Sequence, residues 1–277
     1  MRSVAFLVLL LLLPACEQKA SQPPATVYAD SAYRLYFGDP PEVRAGQAWS
    51  RVAFLPVESG SGLKPLPFFL YREDGQLQLL LDQLTGPLLR PGPGSGLRNP
   101  FPPGSRAVTA NRVGKTREIN LSLPQGADGD LEAMAAVLVE TTALSEGVDK
   151  VVLTLNGRPW PGMPEGGFAP DSRRIVDPGP PRPVMVFAAT DDGHGHPGEI
   201  LVNFDRPVRM EAFRLADAEG KPVAGEQFQS VFNMAVVLHP ADPGQIHSGS
   251  RVQVSWQATD FKGRTGEGTA RLEVRGR

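Results

Sequence analysis

One short stretch of this 277-residue chain carries the residue types that bind metal ions. Residues 191–196 read DDGHGH, which places two carboxylates and the imidazoles of His194 and His196 within six positions. Such a ligand set suits a divalent ion, but a firm site needs ligands that rigid elements and a second shell of hydrogen bonds hold in place. Because glycines alternate with the histidines, we expect a solvated turn, in which His194 and His196 are only weak metal candidates.

Other motifs that could carry chemistry are incomplete. Residues 114–116 (GKT) end like a phosphate-binding P-loop, but Thr109 stands where that motif requires a glycine. The adjacent acids Glu73 and Asp74 lie at a predicted helix start, where they suit the helix dipole better than acid–base catalysis. No serine occupies a G-x-S-x-G elbow. The sequence therefore predicts no cofactor and no enzyme.

The single cysteine, Cys16, follows a segment typical of an export signal. Arg2 supplies a positive charge, and the apolar run at residues 4–13 is shorter than the about 20 residues that span a bilayer. Residues 13–16 (LPAC) resemble a bacterial lipobox. The resemblance implies a signal peptide over residues 1–15, a lipid on Cys16 and an anchor in the cell membrane, facing its extracytoplasmic side. An ordinary secretory signal is the alternative.

The composition excludes several classes of partner and chemistry. The 28 basic and 30 acidic residues are interspersed and give a formal net charge of −2, so no basic stripe predicts binding to nucleic acid. With its only thiol assigned to the lipid, the chain has none for disulfides or catalysis. Glycine and proline cluster between periodic segments, which is typical of loops.

Beyond a polar tether at residues 16–26, the hydrophobic pattern predicts an α+β domain over residues 27–158. Strands are predicted at residues 34–37, 52–57, 107–110, 117–121 and 151–155. Leu77, Leu80, Leu81 and Leu84 share one face of a predicted helix. A second helix is predicted to begin after Asp130 and to end at Gly147. The resulting order is β-β-α-β-β-α-β, two strand–helix units around one sheet.

The pattern changes at residues 159–183, a Pro- and Gly-rich segment without hydrophobic period that we interpret as a linker. Trp160, which stands between two prolines, is the candidate for an exposed contact with a partner. Beyond the linker, period-two alternation such as that of Ile200, Val202 and Phe204 predicts about seven short strands. Residues 184–277 are therefore expected to form an all-β, immunoglobulin-like sandwich.

The first of these domains resembles the GerMN domain of spore germination and sporulation proteins. The motifs that carry the resemblance are LYF at 35–37, LPVE at 55–58, LTGP at 84–87, GL at 96–97, PPGSR at 102–106 and INLS at 119–122. Members of that family are typically envelope proteins, often lipoproteins, with a fold like the ring-building motif of sporulation channels. The resemblance implies a scaffold role near peptidoglycan and supplies no catalytic residues.

The second domain resembles bacterial immunoglobulin-like domains and, at residues 200–208, 213–220 and 252–263, the copper-binding CopC sandwich. In that family a DGH-type motif near the last strands supplies a copper ligand. The equivalent stretch here is residues 260–263 (DFKG), which contains no histidine. The resemblance therefore implies the sandwich without its copper site.

Together these features predict a membrane-anchored lipoprotein that acts as a non-catalytic scaffold or binding module, in sporulation, germination or cell-wall assembly. Its expected partners are the membrane, through the lipid, and an envelope protein or the cell-wall polymer. One alternative is a peptidoglycan- or glycan-active enzyme, which paired carboxylates in one cleft would favour. Another is a periplasmic metal-binding protein that uses His194 and His196. An apolar patch or an exposed sheet edge would favour the binding module.

Overall fold

The computed structural model describes residues 25–190 and 197–276. Cys16, His194 and His196 lie outside these ranges, so lipidation and the weak metal candidates stay predictions. The first half contains β1 (Thr26–Ala29), α1 (Ser31–Phe37), β2 (Gln47–Pro56), β3 (Leu63–Leu70), α2 (Gln76–Thr85), β4 (Arg106–Val113), β5 (Thr116–Ser122), α3 (Leu131–Glu146), β6 (Lys150–Leu155) and β7 (Arg158–Pro159). The second half contains β8 (Pro183–Thr190), β9 (Pro197–Phe204), β10 (Val208–Asp217), β11 (Gly225–Gln229), β12 (Ala235–Pro240), β13 (Arg251–Asp260) and β14 (Thr265–Gly276).

Helix α3 lies at the centre of the first half. Every residue from 133 to 143 is buried, as expected of a helix that other elements surround. One sheet, in the order β1-β2-β3, contributes β2 to its surroundings, and a second, in the order β4-β5-β6-β7, contributes β6. Asp130 caps its N-terminus by accepting from the Ala133 N–H at 3.0 Å, and Gly147 ends it in the left-handed conformation. Both predicted caps are confirmed.

The first half differs from the sequence prediction in several elements and in its sheets. Strands β1, β3 and β7 were not predicted, and the strands form two sheets where one was expected. Residues 34–37 were predicted to form a strand, but they belong to α1, which begins where Asp30 accepts a hydrogen bond from the Tyr33 N–H at 2.7 Å. Tyr33 and Phe37 are buried whereas Leu35, between them, is 65% exposed, a spacing that a helix explains and a strand, which would place all three on one face, does not. Strand β3 was not predicted, because Pro65 and Pro67 interrupt its pattern. It lies at the end of its sheet, where proline is tolerated.

The second half is all β, as predicted. Its strands are hydrogen-bonded in the continuous order β10-β13-β14-β8-β9-β12-β11. Strand β14 joins the two parts of this sheet, because residues 265–273 pair with β13 and residues 274–276 pair in parallel with β8. Apolar side chains from both parts, such as Val202, Val254 and Leu272, meet in one core. The predicted fold class, an α+β domain followed by an immunoglobulin-like sandwich, is confirmed.

The Pro- and Gly-rich segment that joins the halves packs closely against the first of them. Phe168 and Val151 exchange backbone hydrogen bonds of 2.8 and 2.9 Å, and the Val176 N–H donates to the Leu63 carbonyl at 2.9 Å. Gly167 adopts a φ of 95°, and a Cβ there would lie 2.8 Å from the Val151 carbonyl oxygen. Glycine thus permits the close approach that attaches this segment to β6.

Candidate functional site

A cavity of about 460 Å³ lies between α3 and the Pro- and Gly-rich segment. Leu131, Ala135 and Val139 on α3 form one apolar wall, and Trp160 and Phe168 lie across from them. A volume of this size falls within the range of small-molecule sites, about 300–1,000 Å³.

Glu140 is the buried charged group of this cavity. It lies on α3 and is 5% exposed. Its Oε1 accepts a hydrogen bond of 2.7 Å from the backbone N–H of Asp171, and it forms no ion pair among the described residues. Burial raises the pKa of the Glu140 carboxyl, although the Asp171 N–H and the charge of Arg174 partly oppose this shift.

The other two acids of the cavity have cationic partners. Both carboxylate oxygens of Asp171 accept from the Arg173 guanidinium, at 2.8 and 2.9 Å, and this interaction lowers the pKa of Asp171. At the rim, Glu132 lies 3.8 Å from Arg174. Glu140 therefore differs from its neighbours in that its only hydrogen-bond donor is a backbone amide.

Trp160, which its two proline neighbours suggested would be exposed, is buried. It is 4% exposed and belongs to the core of the first half. Its backbone N–H donates to the Leu153 carbonyl at 3.1 Å, which holds the residue beside β6. The expectation of an exposed side chain is wrong, although the residue does line the cavity. Contact with a partner stays a prediction. Sequence reasoning overlooked Glu140, whose signal is a single acid deep in the apolar stretch of α3.

A second buried polar feature connects the two halves. Lys64 on β3 reaches Asp205, in the turn after β9, with 2.7 Å between Nζ and Oδ2. Arg206 bonds the same carboxylate at 3.0 Å and Asp260 at 3.2 Å, and Arg264 bonds Asp260 at 2.6 Å. Asp205, Arg206 and Asp260 are each 1% exposed. We call these five residues the interdomain network.

The pKa values of Asp205 and Lys64 depend on how these two groups are paired. Burial alone would raise the pKa of Asp205, but the adjacent charges of Arg206 and Lys64 outweigh it and lower the pKa. Burial lowers the pKa of Lys64, and Asp205 opposes that shift. The carboxylate is thus held in its charged form by two cations from different domains.

Further contacts around the network fix the second half against α1. The Arg264 guanidinium donates to the Tyr36 carbonyl and the Lys262 ammonium to the Leu35 carbonyl, both at 2.7 Å. These are carbonyls of the last turn of α1, where cations are favourable. Near by, the rings of Phe69 and Phe232 stack with centroids 4.2 Å apart. Lys262 and Arg264, in the turn between β13 and β14, therefore attach the second half to α1.

The remaining chemical candidates have structural surroundings. Lys115 of the GKT stretch donates to the Gly147 carbonyl at 2.8 Å, at the end of α3. Among the described residues, no group of three or more His, Cys, Asp or Glu side chains could hold a metal ion. None of the helices in the described part of the chain is both long and apolar enough to cross a membrane.

Comparison with known proteins finds a family model that matches most of the first half. Residues 34–160 match the Germane family model, described as sporulation and spore germination. The tandem GerMN domains of the sporulation protein GerM from Bacillus subtilis are 17% identical, with 64% of this chain covering 58% of that chain and a TM-score of 0.34. The first GerMN domain of GerM alone is 20% identical, with 46% of this chain covering 96% of that chain and a TM-score of 0.33.

For the second half, PcoC, a methionine-rich copper resistance protein from Escherichia coli, is 16% identical, with 35% of this chain covering 99% of that chain and a TM-score of 0.26. A comparison with curated proteins finds no match. The stretch that matches the family model, residues 34–160, runs from within α1 to the end of β7 and leaves out β1, so most of the first half is similar to the Germane family of sporulation and spore germination.

Proposed function

We propose that this protein is a lipid-anchored envelope scaffold of sporulation or germination, which binds an envelope protein or the cell-wall polymer without turnover. The observation that carries the proposal is the interdomain network, which joins a Germane-like domain and a β-sandwich through buried charges. Removing water from charges is unfavourable unless each is paired in good geometry. A network of this kind favours one relative orientation of the domains, and a scaffold depends on such an orientation.

The anchor is the part of the proposal that rests on sequence alone. Labelling cells with a clickable fatty acid tests it, because wild type should take up label and Cys16→Ser should be exported without it. Absence of label on the wild-type protein would contradict the lipid anchor and leave the binding role to be tested separately.

The scaffold role is tested by crosslinking in native membranes. We compare wild type, the double variant Lys262→Ala/Arg264→Ala, which removes the two bonds to α1, and the control Lys221→Ala, an exposed lysine in the turn after β10. We expect the same crosslinked complex for wild type and control and less of it for the double variant, with small-angle scattering reporting whether the domains have loosened. An unchanged complex from a loosened protein would contradict a role for fixed orientation.

A glycan-active enzyme is the second candidate, because Glu140 and Asp171 line one cavity and their pKa values are shifted in opposite directions. Such a divergence is typical of acid–base pairs. Against it, Asp171 is bound through both oxygens to Arg173 and Glu140 accepts from a backbone amide. Incubation of purified protein with peptidoglycan decides between them. Soluble muropeptides from wild type but not from Glu140→Gln would establish the enzyme and overturn the scaffold proposal.

A further inference from the structure

The cavity on α3 contains a carboxyl group that forms no ion pair with any side chain of the described residues. Glu140 is only 5% exposed, and of its two carboxylate oxygens only Oε1 has a hydrogen bond, from the Asp171 N–H. An isolated buried carboxylate is unfavourable unless a charge or several donors compensate it. Asp171 and Glu132 already have Arg173 and Arg174 as partners. Among the acids that line the cavity, Glu140 is therefore the one without an ion-paired side chain in the described part of the chain.

The walls around this carboxyl are suited to an aliphatic chain. Leu131, Ala135 and Val139 line one side of the cavity, and Trp160 and Phe168 line the other. Lysine-like groups bury a methylene stem along such a surface and extend their ammonium group to a polar partner. An anionic ligand fits less well, because Arg174 already faces Glu132 and a second carboxylate would lie close to Glu140.

From this complementarity we propose that the cavity binds a primary ammonium group on an aliphatic chain, the side chain of a lysine-type residue in a partner, with Glu140 as its anionic contact. The inference rests on the cavity alone and goes beyond the scaffold role. Binding would place the ammonium group at the Oε2 atom of Glu140 and the methylene stem between Val139 and Phe168.

Proton exchange should accompany this binding. Burial raises the pKa of Glu140 above its ordinary value of 4.5, whereas a bound ammonium group would lower it. The charged and titratable groups that surround Glu140 are Asp171 and Arg174 of the joining segment, Tyr36 of α1 and, at the rim, Glu132. Interaction with Arg173 lowers the pKa of Asp171, and the pKa of Tyr36 is raised from 10.0. Affinity for the ammonium ligand should therefore rise as the pH increases from 4.5, as Glu140 ionises, and then level.

Calorimetric titration tests the proposal on the full chain carrying Cys16→Ser. The probes are Nα-acetyl-lysine methylamide, its norleucine analogue, which lacks the amine, and cadaverine as a free diamine. We expect the lysine compound to bind at one site, at least about tenfold tighter than the norleucine compound, since hydrogen bonds to charged groups contribute on that scale. Equal affinity for the two would overturn the proposal, and tighter binding of cadaverine would overturn its assignment to a side chain.

Two variants test whether Glu140 is the residue that binds the ammonium group. Glu140→Gln, which keeps the shape and removes the charge, should weaken lysine binding at least about tenfold, whereas Glu165→Gln, an exposed acid of the same segment outside the cavity, should leave it unchanged. If Glu140→Gln fails to fold, wild type is titrated at pH 4.5, below the raised pKa of Glu140, in two buffers of different ionisation enthalpy. Proton release with the lysine compound and none with norleucine supports the site, and no release with either overturns it. None of these outcomes depends on the crosslinking or peptidoglycan experiments.

Discussion

The interdomain network and the α3 cavity both contain a buried carboxyl group, but the two groups differ in their partners and in the direction of their pKa shifts. Asp205 has Lys64 and Arg206 within 3.0 Å, and its pKa is lowered. Glu140 has one backbone donor, and its pKa is raised. Each carboxylate of the network has two cationic partners and needs no further ligand. A carboxyl left with one amide leaves bonding capacity for a ligand, so we interpret the network as structural and the cavity as the binding site.

The largest effect should come from breaking the network. Asp205→Ala leaves Lys64 and Arg206 buried without their common partner, and we expect it to lower the free energy of unfolding by about 3–5 kcal/mol, the usual cost of an uncompensated buried charge. Urea denaturation followed by fluorescence and circular dichroism measures the change. The control is Asp39→Ala, which removes an exposed pair with Arg34 and should cost about 0–1 kcal/mol. Equal losses for the two variants would remove the basis for calling the network structural.

The free-energy cost of truncating an apolar core side chain provides a comparison for the loss expected from Asp205→Ala. Leu81 on α2 is fully buried, and Leu81→Ala should destabilise the first domain by about 2–5 kcal/mol through lost burial and a residual cavity. Leu35→Ala, at a side chain that is 65% exposed, should change stability by no more than about 0.5 kcal/mol. A cost below about 1 kcal/mol for Leu81→Ala would show that α2 does not pack into this core.

The sequence predicts elements whose signal is local and regular. The leucine stripe of α2 and the capped ends of α3 fall in this class, as does the alternation of the sandwich strands. Helix α1 was missed because seven residues are too few for a helical period to outweigh the strand-like appearance of Leu35, Tyr36 and Phe37. Strand β3 was missed because Pro65 and Pro67 interrupt the pattern that would predict a strand.

Almost none of the candidate site could be predicted from the sequence. Trp160 was noticed for its proline neighbours, yet a backbone bond to Leu153 holds it inside. The network joins Lys64 to Asp205 and Asp260, residues of different domains that only the folded chain brings together. Glu140 was visible as an acid in an apolar helix, but its lack of a cation depends on where the joining segment places Arg173 and Arg174.

The contrast between the two carboxyls predicts opposite pH dependences. Because the folded pKa of Glu140 is raised, the folded state binds the proton more tightly, and this group's contribution to stability is lost as pH rises from 4.5 through the folded value. Asp205, with a lowered pKa, stabilises above its unfolded value, and that stability is lost as pH falls below about 4 through the folded value. Glu140→Gln should thus raise the melting temperature relative to wild type more at pH 7.5 than at pH 4.5, in the absence of ligand.

Scanning calorimetry at the two pH values measures this difference, with Glu165→Gln as the control that changes the same charge at an exposed site. The amide oxygen of the glutamine can still accept the Asp171 N–H, so the comparison isolates the charge. If Glu140→Gln shifts the melting temperature equally at both pH values, the charged form of Glu140 does not destabilise the fold. The predicted difference in pH dependence between Glu140 and Asp205 would then be wrong.

The smallest effect should come from the edge of the domain contact. Lys262→Ala removes one exposed hydrogen bond to the Leu35 carbonyl, at the end of α1, and leaves the buried pairs of Asp260 intact. Water replaces a lost partner at such a position, so we expect a loss of about 0.5–1 kcal/mol in the free energy of unfolding. Arg264→Ala should cost more, because it removes both the bond to the Tyr36 carbonyl and a partner of buried Asp260. A loss from Lys262→Ala as large as that from Arg264→Ala would mean that the solvent-exposed rim, and not the buried network, is the main link between the two domains.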